Sequence, residues 1–163
     1  MNVDAFWQFI DAAKKMAGSD VDARVDALKS VLSLLTAEEL QSFQNHYDQQ
    51  IAVSYRWDLW AAAYIMNGGC SDDGFRYFRD WLISEGRSIF EKALQDPDSL
   101  ADLPHIDPAE LEPFGYVALE LYERKSVGEL DRDFSTEGAE PAGTSWKEED
   151  VDNLFPRLAA KYA

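Results

Sequence analysis

The sequence predicts an all-α, single-domain helical bundle, and three observations carry that prediction. Apolar residues recur three and four positions apart along nearly the whole chain. Runs of alternating β-branched residues, the mark of half-buried strands, are absent. Signals for helix starts and stops separate the apolar stretches. About six to eight helices are expected, around a central apolar helix at about residues 56–67.

The first helix is expected from about Asp4 to Met16, burying Phe6, Phe9, Ile10 and Ala13 and stopping near Gly18. Ser19 with Asp22 opens a second, in which Val21, Val25, Leu28, Leu32 and Leu35 form an amphipathic stripe. Thr36-Ala-Glu-Glu39 is a capping box: the threonine oxygen accepts the third amide of the helix while Glu39 reaches back to the cap. The helix it launches buries Leu40, Phe43, Tyr47 and Ile51, with a break near Ser54.

From Trp57 to Met66 the chain is apolar nearly all round, which suits a helix surrounded by others. Asn67-Gly68-Gly69 ends it, since these residues tolerate the left-handed backbone of a helix C-terminus. Ser71 then caps a helix whose first turn carries Asp72 and Asp73 against the positive end of the helix dipole. Its face is Phe75, Phe78 and Leu82, with Tyr77 and Trp81 beside it, and Gly86 interrupts it before a segment built on Ile89, Phe90 and Leu94.

Asp96-Pro97 reads as a turn entering a short helix, and Asp107-Pro108 repeats that grammar ahead of a helix burying Phe114, Val117, Leu121 and Tyr122. Three segments result: a helical domain over residues 1–125, an acidic loop or partly disordered stretch over 126–145, and a C-terminal helical segment over 146–163. The last is opened by Ser145-Trp-Lys-Glu148 and docks back through Val151, Leu154, Phe155 and Leu158, with Pro156 limiting any continuous helix.

Composition excludes several functions. At 163 residues and 46% hydrophobic content the chain can bury a core without disulfides or metal. A formal charge of −16 argues against binding to phosphate backbones or anionic lipid. Residues 1–95 hold 14 acids against 9 bases and residues 96–163 hold 17 against 6, so the C-terminal part is the electronegative half. Cys70 stands alone, and neither a signal peptide nor a membrane span is expected, so a cytoplasmic monomer or homodimer is the expectation.

At Trp57-Asp-Leu-Trp60, Asn67-Gly-Gly-Cys-Ser-Asp-Asp-Gly74 and Phe78-Arg-Asp-Trp-Leu-Ile83, continuing through Gly86-Arg87 to Asp96-Pro-Asp-Ser-Leu100, the chain resembles a bacterial family, domain-of-unknown-function family 4240 (DUF4240). The opening Phe6-Trp7 and Ile10-Asp11 pattern extends the resemblance to roughly residues 1–125. The resemblance implies an accessory role at most and brings no activity.

The candidate site is the block from Arg56 to Arg87. Trp57, Trp60, Tyr64 and Trp81 with Arg56, Arg79 and Arg87 would line an aromatic, arginine-rich cleft for a small ligand or peptide. Asp58 lies in an apolar helix and calls for a cation, expected to be Arg79 or Arg87. The Asn67 to Gly74 turn offers free amides to an anion, although Asp72 and Asp73 oppose one and self-capping by Ser71 explains the turn as well. Asp72, Asp73 and Asp80 lack the spacing of a cation loop. Cys70 near a helix start could be a nucleophile, but neither His46 nor His105 has a local context that points to it. The function that fits is a non-enzymatic protein- or ligand-binding, regulatory module without cofactor or metal. The alternatives are an enzyme using carboxylates or Cys70 in the same cleft, or an acidic decoy or immunity-type inhibitor of a basic partner.

Overall fold

Asn2 accepts the amide of Ala5 at 2.8 Å and starts α1 (Val3–Ala17), and Gly18, at φ 68°, ends it. The computed structural model describes residues 1–126, 128–134 and 138–163. Of the acidic loop expected over 126–145, residues 127 and 135–137 lie outside the described residues. α1 buries Phe6, Trp7, Ile10 and Ala13, so its inward stripe includes Trp7 in place of the half-buried Phe9. It packs chiefly against α2 (Ala23–Leu32).

Asp20 rather than Ser19 accepts the amide of Ala23 at the start of α2. The buried residues of α2 are Arg24, Ala27, Leu28 and Leu32, so an arginine occupies the inner stripe. Both halves of the Thr36 capping box form, at 3.1 Å each, and launch α3 (Ala37–Val53). α3 buries Leu40, Phe43, Tyr47 and Ile51 as expected, together with Gln44 and Asp48. Its end is held by Ser54, whose hydroxyl donates to the carbonyls of Gln50 and Ile51.

α4 (Trp57–Asn67) is the apolar helix. Leu59, Ala61, Ala62, Ala63, Ile65 and Met66 are buried, while Trp57, Trp60 and Tyr64 are partly covered by later parts of the chain. Gly68 sits at φ 66° and ψ 39°, the left-handed cap that a residue with a Cβ resists. Ser71 accepts the amide of Gly74 at 3.1 Å and opens α5 (Asp72–Ser84).

α5 is the most deeply enclosed element, burying Arg79, Asp80, Trp81 and Ser84 along with Phe75, Phe78, Leu82 and Ile83. Gly86, at φ 95°, makes the sharp turn into α6 (Arg87–Gln95); a Cβ on it would stand 2.5 Å from Asp11 Oδ1. Asp96 then caps a 3-10 turn over Pro97–Asp102.

The Asp107-Pro108 grammar does not open a helix. Ala109 spends its amide and its carbonyl on the side chain of Asn67, and the amide of Leu111 donates to Tyr77, so these groups are not free for a helical turn. A 3-10 turn at Glu112–Tyr116 follows and runs into α7 (Val117–Lys125), which packs on α3 and α2. The chain ends with α8 (Val151–Leu154) and α9 (Pro156–Lys161), both against α4, with α9 also on the Pro97–Asp102 turn.

The described residues form an all-α domain with no strand, only an isolated parallel bridge between Arg56 and Ala142. None of the described helices is long and apolar enough to cross a membrane.

Candidate functional site

The expected site residues fall into four places. At the start of α4, Arg56 donates to both carboxylate oxygens of Asp58, at 3.0 and 3.2 Å. This corrects the expectation that Asp58 pairs with Arg79 or Arg87. Asp58 lies in the first turn, where the helix dipole favours a carboxylate, and its partial exposure leaves part of its hydration in place. Trp57 stacks on Trp60 at 5.5 Å and 12°, and Trp60 stacks on Phe75 at 4.9 Å and 17°.

A strap from beyond α7 covers this stack. Ala142 accepts the amide of Trp57 and donates its own amide to Tyr55, both at 2.9 Å. Trp146 donates its indole N–H to the Trp57 carbonyl at 2.6 Å and sets its ring edgewise against Trp57 and Tyr64. Underneath, Arg79 is 3% exposed, lies 4.8 and 4.6 Å from the ring centres of Tyr55 and Phe75, and donates to the Ile51 carbonyl at 2.8 Å. It holds the end of α3 and faces no open cleft.

The second place is the α4–α5 turn. Asn67 clamps Ala109, Ser71 caps α5, and Asp72 and Asp73 are exposed. Cys70 is half-buried and its carbonyl accepts the Trp60 indole N–H at 3.0 Å. Burial, reinforced by the negative charges of Glu110 and Asp72 and opposed by Arg79, pushes its thiol up to about 12. That shift runs opposite to the activation a helix start can give a thiol. Among the described residues, no three His, Cys, Asp or Glu side chains are grouped to hold a metal ion.

Asp80, two turns along α5, is separate from Asp72 and Asp73. It accepts the Tyr47 hydroxyl at 2.6 Å, lies 3.5 Å from Arg76, and abuts Gly115, where a Cβ would come within 2.7 Å of it. Burial raises its carboxyl to about 6, with Arg76 and the Tyr47 hydrogen bond pulling the other way. Arg87 is in a third place, joining α6 to α1 through Asp4 at 2.6 Å and pairing within α6 with Glu91 at 2.9 Å.

Trp81 stands apart from the other predicted residues. It is 1% exposed and helps line a cavity of about 410 Å³ with Lys14, Arg24, Glu85 and residues 103–106. Arg24, 5% exposed, donates to Ser84 Oγ at 3.0 Å and Glu85 Oε1 at 2.9 Å. Lys14 lies 3.1 Å from Glu85 Oε2 and donates to the Glu85 carbonyl at 2.9 Å. Arg24 Nε and Trp81 Nε1 are each shut off from solvent and have no hydrogen-bond partner among the described residues.

Residues 103–106 are held from behind by the C-terminal segment. Tyr162 stacks on His105 at 4.5 Å and its hydroxyl accepts the Ile106 amide at 3.1 Å. Lys161 donates to the carbonyls of Ala101 and Leu103, and the amides of Arg157 and Leu158 donate to Asp98.

Sequence reasoning missed Arg24 and Glu85. The available signal was spacing: Arg24 precedes Leu28 and Leu32 by four and eight positions, and Glu85 follows Trp81 by four, so each shares a helix face with apolar residues.

The sequence model of a family described as a protein of unknown function (DUF4240) matches residues 1–124. No curated protein and no solved structure matches the chain.

Proposed function

The chain belongs to this family, DUF4240, through residues 1–124, and on that premise we propose that it is a non-enzymatic helical binding module whose aromatic and arginine-lined site is the cavity beside Arg24 and Trp81. The observation that supports the reading is a cavity of about 410 Å³ lined by Lys14, Arg24 and Trp81. Two cationic side chains, Lys14 and Arg24, stand in its lining beside an aromatic one, Trp81. The cavity lies within the ~300–1,000 Å³ common for small-ligand sites and has apolar walls from Val21, Leu103 and Ile106.

The chemistry of the other candidates supports binding over catalysis. A thiol held near 12 is almost wholly protonated at neutral pH. Asp58 is engaged by Arg56, and Asp72 and Asp73 stand exposed at a helix start that Ser71 already caps.

A screen of small-molecule fragments by saturation-transfer NMR tests the reading. Fragments should bind the full chain and lose binding in Val21→Trp, which adds bulk to the cavity lining. A set of fragments whose binding ignores Val21→Trp would refute it.

A further inference from the structure

We infer that the groove between the start of α2 and residues 108–113 docks an extended segment of a partner protein, one that presents an apolar side chain flanked by lysine or arginine. The groove has a volume of about 510 Å³ and shares no lining residue with the cavity beside Trp81. Its carbon surface comes from Val25, Pro108, Leu111 and Pro113. Its polar side chains are Asp22, Glu110 and Glu112, and among the described residues no lysine or arginine stands in the lining.

Both walls are set in advance. α2 packs against the Glu112–Tyr116 turn. On the other side Ala109 spends its amide on Asn67 at 2.8 Å, the Leu111 amide donates to the Tyr77 carbonyl at 3.0 Å, and Glu112 accepts the Tyr116 hydroxyl at 3.1 Å. A partner therefore meets a preformed surface and loses little to ordering it. The Asp22 carboxylate is not used to cap α2, because Asp20 takes the Ala23 amide there.

The lining selects the occupant. In the cavity beside Trp81, Glu85 is matched by Arg24 and Lys14 from the chain itself. The groove has carboxylates and no such cation in its lining, so the counter-charge comes from the partner, where it also steers encounter. An anionic segment is repelled, and a purely polar cation leaves the carbon surface wet. A lysine or arginine beside an apolar residue answers both features, and its stem adds carbon contact. A small amine fits less well: sites for small molecules bury roughly 70–90% of the ligand, whereas Asp22, Pro108 and Pro113 are exposed and the groove is open. An extended chain can lie along it.

The test titrates the full chain, 13C-labelled at its methyl groups, with three capped pentapeptides: Lys-Lys-Leu-Lys-Lys, Lys-Lys-Gly-Lys-Lys and Glu-Glu-Leu-Glu-Glu. It is read at the Val25 methyl resonances, which Val25→Ile identifies. The lysine–leucine peptide should move them. The glycine peptide should bind about tenfold more weakly, because it brings no carbon body, and the glutamate peptide should leave the resonances unmoved. Asp22→Asn with Glu110→Gln should weaken the lysine–leucine peptide about fivefold. Glu140→Gln with Glu149→Gln removes the same charge from exposed positions outside the lining and should change its affinity less than about twofold. The comparison of peptides on the unmodified chain does not depend on how the variants fold. Equal affinity for the leucine and glycine peptides overturns the apolar contact. Equal weakening by the two double variants reduces the effect to the overall charge and overturns the groove as its place. Val25 resonances that the lysine–leucine peptide leaves unmoved overturn the proposal outright.

Discussion

The indole N–H of Trp146 donates to the backbone carbonyl of Trp57 at 2.6 Å, tying a residue beyond the family-matched region to the first turn of α4. Trp146→Phe keeps a ring against Trp57 and Tyr64 but loses the bond, so about 1 kcal/mol of stability should go. Trp146→Ala removes the ring as well and should cost about 2 kcal/mol, less than a fully buried tryptophan because this one is half-exposed. Urea unfolding measures both. Trp146→Ala should also speed proteolysis within 138–145, and an unchanged cleavage rate would count against the strap.

Asp80 gives a pH signature. Its carboxyl titrates near 6 in the fold against an ordinary 3.8, so between those values the folded chain binds a proton that the unfolded chain has released. Stability from this group is therefore full below about pH 4 and lost as pH rises towards 6. The shift corresponds to about 3 kcal/mol. Asp80→Asn keeps an acceptor for Tyr47 and removes the titration. Its stability relative to the unmodified chain should rise by up to that amount between pH 4 and pH 7, and a difference flat across that range would overturn the assignment.

Arg24 and Glu85 form a buried pair, 2.9 Å apart. Removing one partner strands the other, so Arg24→Met should cost about 3 kcal/mol, at the lower end for buried pairs because Lys14 still faces Glu85. Adding Glu85→Leu should restore part of that loss. A double-mutant cycle by thermal unfolding checks it, and strict additivity would show that the pair is not coupled.

Cys70 should be slow. With the thiol near 12, the thiolate fraction at pH 8 is about 10,000-fold below unity. Alkylation by iodoacetamide should run at least 100-fold slower than for glutathione, and urea should restore an ordinary rate. Fast alkylation of the folded chain would reopen the case for a nucleophile.

The features legible in the sequence are those built from neighbours. The Thr36 box, the Ser71 cap and the Gly18 and Gly68 stops each need only residues within four positions, and each appears as read. The cavity needs groups far apart in the chain: Arg24 meets Glu85 across 61 positions, and Tyr162 meets Ile106 across 56. Residue type misled at Arg79 and Asp58. A cation beside aromatics read as lining a cleft, whereas Arg79 lies beneath those rings on a helix end, and its supposed partner had a nearer arginine two positions away. Trp81 was read as part of the tryptophan block, yet successive helical positions diverge by about 100°, and it faces Arg24's side of α5.

Tyr162 and Lys161 brace residues 103–106 from outside the region shared with the family. Were the cavity to hold a ligand as proposed, the family-matched region would supply its charged lining, and the C-terminal segment would set how wide the chamber stands. On that proposed reading, altering the C-terminal segment would change the size preference while leaving Lys14, Arg24 and Glu85 as they are.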